Sequence, residues 1–149
     1  MQIEFKKGIK MKETDELLKI LEKSTTINGY LENNSDSIID IKLRDYLENI
    51  MLERNISIPE LIKRSNLASV YVYKILAGER MPGRDKLLCI AISMQMSLQE
   101  IQMALRIAGH SLLYPKTKRD SIIIFAVNHN ANLAECNETL YELGENILE

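Results

Sequence analysis

The sequence has no tryptophan, two phenylalanines, three prolines and six glycines in 149 residues. So little turn chemistry excludes an architecture built from many tight hairpins and leans the chain towards helix. Cysteine is equally scarce. Cys89 and Cys136 each sit in an apolar helical pattern, with no C-x-x-C spacing, which excludes a disulfide framework and reads as two buried, reduced thiols of a cytoplasmic protein. Of the two histidines, His110 and His129, neither has a partner at metal-ligand spacing; His129 and Cys136 lie seven apart, and one pair does not make a site. The longest apolar run, residues 122–127, is too short to span a bilayer, and no apolar stretch follows the basic residues within 1–10, so neither a membrane span nor a signal peptide is expected. A glycine-rich phosphate loop and a catalytic constellation are missing too. Paired acids such as Glu145 and Glu149 read as solvated surface, and no enzyme, cofactor or metal is expected.

What is present is ordinary in bulk and uneven in distribution. Apolar residues make up 46% and charged residues 27%, values of a soluble globular protein. The net charge of -2 does not advertise nucleic-acid binding, but residues 40–109 carry ten Lys/Arg against eight Asp/Glu, a net of +2. The first 39 residues carry six against seven and the last 40 three against six. The middle is therefore the only basic segment, and charge permits an anionic partner there without requiring one.

Periodicity and capping signals place the helices. Thr14, followed by Asp15 and Glu16, is expected to cap a helix ending near Lys23 with Leu17, Leu18 and Leu21 as its stripe. Residues 25–37, with Asn28-Gly29 and Asn33-Asn34-Ser35-Asp36, read as loop or broken helix. Ile41, Leu43, Leu47, Ile50 and Met51 predict a helix over about 39–54, ended by Asn55. Ser57-Ile-Pro-Glu60 then opens another, with Ser57 as cap, Glu60 reaching back and Pro59 where no amide hydrogen is needed.

The capping signal returns at Ser97-Leu-Gln-Glu100 and Asn132-Leu-Ala-Glu135, and aligning these exposes an internal repeat. At an offset of 35, Arg84-Asp85 matches Arg119-Asp120, Ala91 matches Ala126, Leu98 matches Leu133, Leu105 matches Leu140 and Gly109 matches Gly144. At an offset of 40, Arg44-Asp45 and Ser57-x-x-Glu60 fall in register with Arg84-Asp85 and Ser97-x-x-Glu100. The repeating unit is a helical hairpin, two of the three ending in glycine. Ile122-Ile-Ile-Phe-Ala-Val127 has strand propensity, yet its register with Leu87-Leu-Cys-Ile-Ala-Ile92 makes it a buried helix.

Within the middle segment, residues 57–82 hold two short helices, about 58–65 and 69–77, separated by Asn66-Leu67-Ala68. Leu61, Ile62, Leu67, Val72 and Ile75 would fill the angle between them, Asn66 stands where a left-handed residue is wanted, Gly78 ends the second helix and Pro82 fixes the exit. This pattern resembles the lambda-repressor/Xre family of helix-turn-helix proteins over about 42–109, where Gly78-Glu79-Arg80-Met81-Pro82 takes the place of the family's Gly-Lys-Arg-x-Pro string. The resemblance implies an all-α, five-helix DNA-binding domain whose second short helix enters the major groove by its N-terminal end.

Carried over position by position, Ser69, Val70 and Lys74 fall where base-edge contacts are made: a hydroxyl for several bases, an isopropyl group for a thymine methyl, an ammonium for guanine acceptors. Tyr73, Arg80, Arg84 and Lys86 fall where backbone contacts are expected. Ala68 stands where the family commonly has Ser or Thr, so Ser69 is expected to cap the helix instead; Ile58 and Glu79 replace residues that are often polar and basic. Tyr71 and Tyr73 read equally as residues packing on the extra helices, Lys63-Arg64 as a solvated face, and Leu76, Met94, Met96 and Met103 as core.

The chain thus reads as an N-terminal arm with one short helix and a loop (1–37), a helix-turn-helix domain (38–110), and a C-terminal helical hairpin packed on it that repeats the preceding one (111–149). The expected function is a cytoplasmic, sequence-specific transcriptional regulator of double-stranded DNA, dimeric through the C-terminal hairpin or the N-terminal arm. The alternative is a protein-interaction module that kept the fold and lost the DNA, for which the net acidity, the apolar Val70-Tyr71-Val72-Tyr73 stretch and the acidic C-terminal hairpin speak.

Overall fold

A computed structural model describes residues 11–149; the N-terminal stretch read as lacking a signal peptide, residues 1–10, lies outside them. Among the described residues the protein is all-α, with nine α-helices and no strand. No helix among them is long and apolar enough to cross a membrane. The chain divides into two compact units, one ending at Asp40 and the other running Ile41–Glu149.

In the first unit, α1 spans Thr14–Lys23. Thr14 is not its cap: the N-cap position is Glu13, with no side-chain hydrogen bond, and Thr14 lies inside the helix. Asp15 and Glu16 in the first turn and Lys23 in the last match the helix dipole. The segment 25–37, expected as loop or broken helix, forms α2 (Ile27–Asn33) followed by a 3-10 turn at Ser35–Ser37. The Asn-Gly pair suggested a turn, but the Thr26 hydroxyl accepts from the Gly29 amide and starts a helix there. Tyr30, Asn34 and Ser37 are buried, and Lys12 ties this corner by its amide to the Ser37 hydroxyl (3.1 Å) and by its ammonium to Asn34 Oδ1.

The second unit holds α3 (Leu43–Glu53), α4 (Ile58–Ser65), α5 (Ser69–Leu76), α6 (Arg84–Ser93), α7 (Leu98–Ile107), α8 (Lys118–Asn128) and α9 (Leu133–Glu142). Helix α3 starts four residues later than periodicity predicts: its N-cap is Lys42, in extended conformation and without a side-chain capping bond. Ser57 caps α4 as expected, but Glu60 does not reach back; its carboxylate pairs with Arg64 one turn on, at 3.2 Å. Both later capping boxes, Ser97 with Glu100 and Asn132 with Glu135, are complete.

Helix α6 is the hub: Leu87 to Ser93 are all buried, as a helix apolar on every side must be, and it packs on α4, α7 and α9. The strand-like 122–127 run is indeed helical in α8, with Ile122, Ile123 and Ala126 buried and Phe125 left exposed. Helices α3, α5, α6, α7, α8 and α9 all end alike. A left-handed residue (Asn55, Gly78, Gln95, Gly109, Asn130, Gly144) turns the chain, and the amide after it donates to the carbonyl five residues back. These closures recur at the repeat spacing, so the periodicity in the sequence is a periodicity of helix ends.

The repeat also has a long-range expression. Arg84 donates to the carbonyls of Ser111 and Leu112 and makes a two-pronged pair with Asp120 (3.1 and 2.8 Å). Thirty-five residues on, Arg119 donates to the carbonyls of Asn146 and Ile147 and makes the same pair with Asp85 (3.0 and 2.9 Å). The side-chain amides of Gln102 and Asn137 each clasp the backbone of a buried leucine, Leu113 and Leu148. Because each Arg reaches the Asp of the other hairpin, and α6 packs on α9 as α8 packs on α7, the two hairpins are related by an internal pseudo-twofold.

Candidate nucleic-acid interface

The candidate face is built on α4, the turn after it, and α5. Asn66 adopts φ 56°, ψ 25°, the left-handed conformation expected of it, and lets the chain reverse without a glycine. Leu61, Val72 and Ile75 are buried to 2% exposure or less and Leu67 to 9%, fixing α5 against the body. Ser69, Val70, Tyr73 and Lys74 are exposed and, at 100° per residue, fall within one arc of the α5 surface opposite Val72 and Ile75. Val70 is 64% and Tyr73 51% exposed. From Asn66 to Gly78 the chain has no acidic residue. Ser69 does not cap α5: it lies inside the first turn after Ala68, no side chain caps the helix, and its leading amides are unclaimed by any cap.

The far end of α5 is held tightly. The Gly78 and Glu79 amides donate to the Ile75 and Lys74 carbonyls, and the Arg44 guanidinium donates to the Ala77 carbonyl at 3.2 Å. At Gly78, φ is +77° and an added Cβ would stand 2.8 Å from Arg44 Cδ, so glycine avoids both the strain of a side chain in the left-handed region and a displacement of Arg44. Arg44 was visible in the sequence only as part of the repeated Arg-Asp pair; its task at the α5 terminus could not be read from it.

Sequence reasoning also missed the part played by Tyr71. Half-buried on α5, its ring lies under two cations, with Arg80 Cζ 5.0 Å and Lys86 Nζ 5.4 Å from the centroid. Neither cation enters an ion pair among the described residues. The tyrosine therefore gathers positive charge from the α5–α6 loop and from α6 onto the flank of the exposed face. Arg84, expected among the backbone contacts, is taken out of this set: its guanidinium is spent on Asp120 and on the Ser111 and Leu112 carbonyls, with the side chain 22% exposed. A helix-start arginine looks free in a sequence; the pseudo-twofold partner claims it in three dimensions. The structure thus brings Ser69, Val70, Tyr73, Lys74, Arg80 and Lys86 to one region and leaves Arg84 out.

His110 and His129 have local tasks. His110 Nε2 lies 2.8 Å from the Pro82 carbonyl, tying the end of α7 to the exit of the α5–α6 loop, and the His129 ring stacks on Phe125 with centroids 3.9 Å apart. Among the described residues no group of three or more His, Cys, Asp or Glu could hold a metal. Cys89 and Cys136 are buried free thiols, and burial pushes both up to about 11. Comparison with models of protein families, with characterised proteins and with solved structures gives no match in any of the three.

Proposed function

We propose that the protein is a cytoplasmic, sequence-specific transcriptional regulator of the lambda-repressor/Xre type, in which α3 to α7 are the five-helix DNA-binding body and α5 enters the major groove by its leading turn. The observation that carries this reading is the α5 surface: an open arc of Ser69, Val70, Tyr73 and Lys74, free of carboxylates and flanked by the unpaired cations Arg80 and Lys86. Ser69, Val70 and Lys74 read base edges, while Tyr73, Arg80 and Lys86 position the duplex through its backbone. The uncapped amides at the start of α5 add donors for a phosphate. A dimer places two such helices on a two-fold site about one helical turn apart.

Fluorescence anisotropy with DNA from upstream of the protein's own operon tests this. Binding should weaken steeply as salt rises, because phosphate contacts release counterions. Lys74→Ala should cost about 1–3 kcal/mol and relax specificity, whereas Arg80→Ala should weaken all sequences alike and lower the salt slope by about one. No binding below about 100 mM salt, or binding indifferent to salt, would sink the proposal. A second reading, a protein-interaction module on the same fold, draws on the exposure of Val70 and Tyr73 on that arc. A stoichiometric protein partner recovered from cell extract without nucleic acid would favour it.

A further inference from the structure

We propose that the cavity between the start of α3 and the α5–α6 loop binds a small organic carboxylate with an apolar body, held by Arg44. The internal repeat carries this. Arg44, Arg84 and Arg119 stand at equivalent positions, each followed by an aspartate at the start of a helix. Two of the three hold a carboxylate. Arg84 grips Asp120 and Arg119 grips Asp85, each by two hydrogen bonds of 2.8–3.1 Å and each with two backbone carbonyls besides. Arg44 has no such grip. It donates to one carbonyl, that of Ala77, and its own neighbour Asp45 comes no nearer than 3.5 Å to Nε. The α6–α7 and α8–α9 hairpins serve each other, and the arginine of α3 is left over. Its side chain is accordingly 44% exposed, against 22% and 23% for the other two. A guanidinium is a planar fork of N–H donors that matches a carboxylate, and the fork of Arg44 is mostly unspent.

The surroundings of Arg44 say what the carboxylate is attached to. Arg44 lines a cavity of about 420 Å³, within the range of small-molecule sites. Ile41, Leu43, Ile75, Met81 and Ile107 give that cavity apolar walls, and Leu43 and Ile75 belong to the core, which fixes them in place. The charged lining is Lys42, Arg44 and Arg80 against the single acid Glu79. Neither Lys42 nor Arg80 enters an ion pair among the described residues. Cations beside apolar walls select an anion that also carries hydrocarbon. Ile75, Gly78 and Arg80 bring the end of α5 into the same wall, so an anion held there would cancel charge offered to a duplex. That consequence alone rests on the DNA reading; the binding site does not.

Isothermal titration calorimetry of the full chain with octanoate and with hydrocinnamate, together with amide NMR spectra, tests this. Octanoate should bind saturably and shift the amides of residues 41–44 and 78–81, which line the cavity. Octanamide, the same body without the charge, should bind about 10-fold or more weakly, and so should acetate, the charge without the body. Arg44→Gln should weaken octanoate by about 10-fold or more, and Arg44→Lys several-fold, because an ammonium keeps the charge but loses the fork. Met81→Asp leaves Arg44 in place and changes a residue 54% exposed, so circular dichroism should show the fold intact while octanoate binds at least several-fold more weakly. The proposal is overturned if neither acid binds below about 10 mM, if octanamide binds as tightly as octanoate, or if the shifted amides lie elsewhere in the chain. Acetate binding as tightly as octanoate overturns the apolar body. Saturating octanoate should also weaken DNA binding by the wild type and spare that of Arg44→Gln. A DNA affinity indifferent to octanoate overturns the coupling to α5 alone, and a chain that binds octanoate but no DNA overturns the DNA reading alone.

Discussion

Asp120 and Asp85 occupy equivalent places in the repeat, each gripped by the arginine of the other hairpin, yet the structure predicts unequal costs for removing them. The Asp120 side chain is 10% exposed and also accepts the Tyr114 amide at 3.0 Å; the Asp85 side chain is 40% exposed. Asp120→Ala strands the Arg84 guanidinium at 22% exposure and leaves the Tyr114 amide without its acceptor. Breaking a fully buried pair costs about 3–5 kcal/mol. Arg84 retains the Ser111 and Leu112 carbonyls and some water, which brings the expected cost to about 2–3 kcal/mol. At Asp85 water can replace the carboxylate, and Asp85→Ala should cost only about 1 kcal/mol. Urea unfolding followed by far-ultraviolet circular dichroism measures both, with an unchanged slope on denaturant showing that stability alone has moved. The more damaging change should lower Tm by roughly 5–10 °C in a chain of this size. If Asp85→Ala proves as costly as Asp120→Ala, burial is not what separates the two sites and the reasoning fails.

Gly78→Ala should destabilise by about 1–2 kcal/mol, since it adds left-handed strain to a contact with Arg44, and Arg44→Ala should relieve part of that cost in the double variant; simple additivity in thermal unfolding would contradict it. Tyr71→Leu should leave the fold within about 1 kcal/mol of the wild type but reduce the salt dependence of DNA binding, because Arg80 and Lys86 lose the ring that gathers them; an unchanged salt slope would refute this. Burial opposes ionisation of Asp120, but hydrogen bonds from Arg84 and the Tyr114 amide, with the charges of Arg84 and Arg119, outweigh it and hold the carboxyl below its usual range. Its contribution is therefore complete above the ordinary aspartate value and is lost as pH falls through the lower folded one, so an acid titration of Asp120→Asn should show a shallower loss of stability than the wild type. The thiols run the other way: with Cys89 and Cys136 raised to about 11, stability should be full below the ordinary thiol range and fall between about pH 9 and 11, and Cys136→Ser should flatten that decline.

Helix ends were legible because they are local. Ser57, Ser97 and Asn132 cap the helices that follow them, Asn55, Asn66 and Gly78 turn the chain where spacing says they should, and the capping boxes at Glu100 and Glu135 need only residues three apart. The errors were local competitions judged wrongly: Thr26 prevailed over the following Asn-Gly, and Glu60 chose Arg64 over its own cap. The exposed arc of α5 was also readable, since a 100° period places Val70 and Lys74 opposite Val72 once the helix is granted. Which cations stay free was decided only by tertiary structure. Arg80, Lys86 and Arg84 look alike in the sequence, each near the same loop, and only the folding of the second hairpin onto the first commits Arg84 to Asp120 while Tyr71 keeps the other two at the surface. Caps and turns are contacts across three to five residues, fixed by backbone geometry; the fate of a charge depends on partners some 36 residues away, whose approach no local spacing encodes.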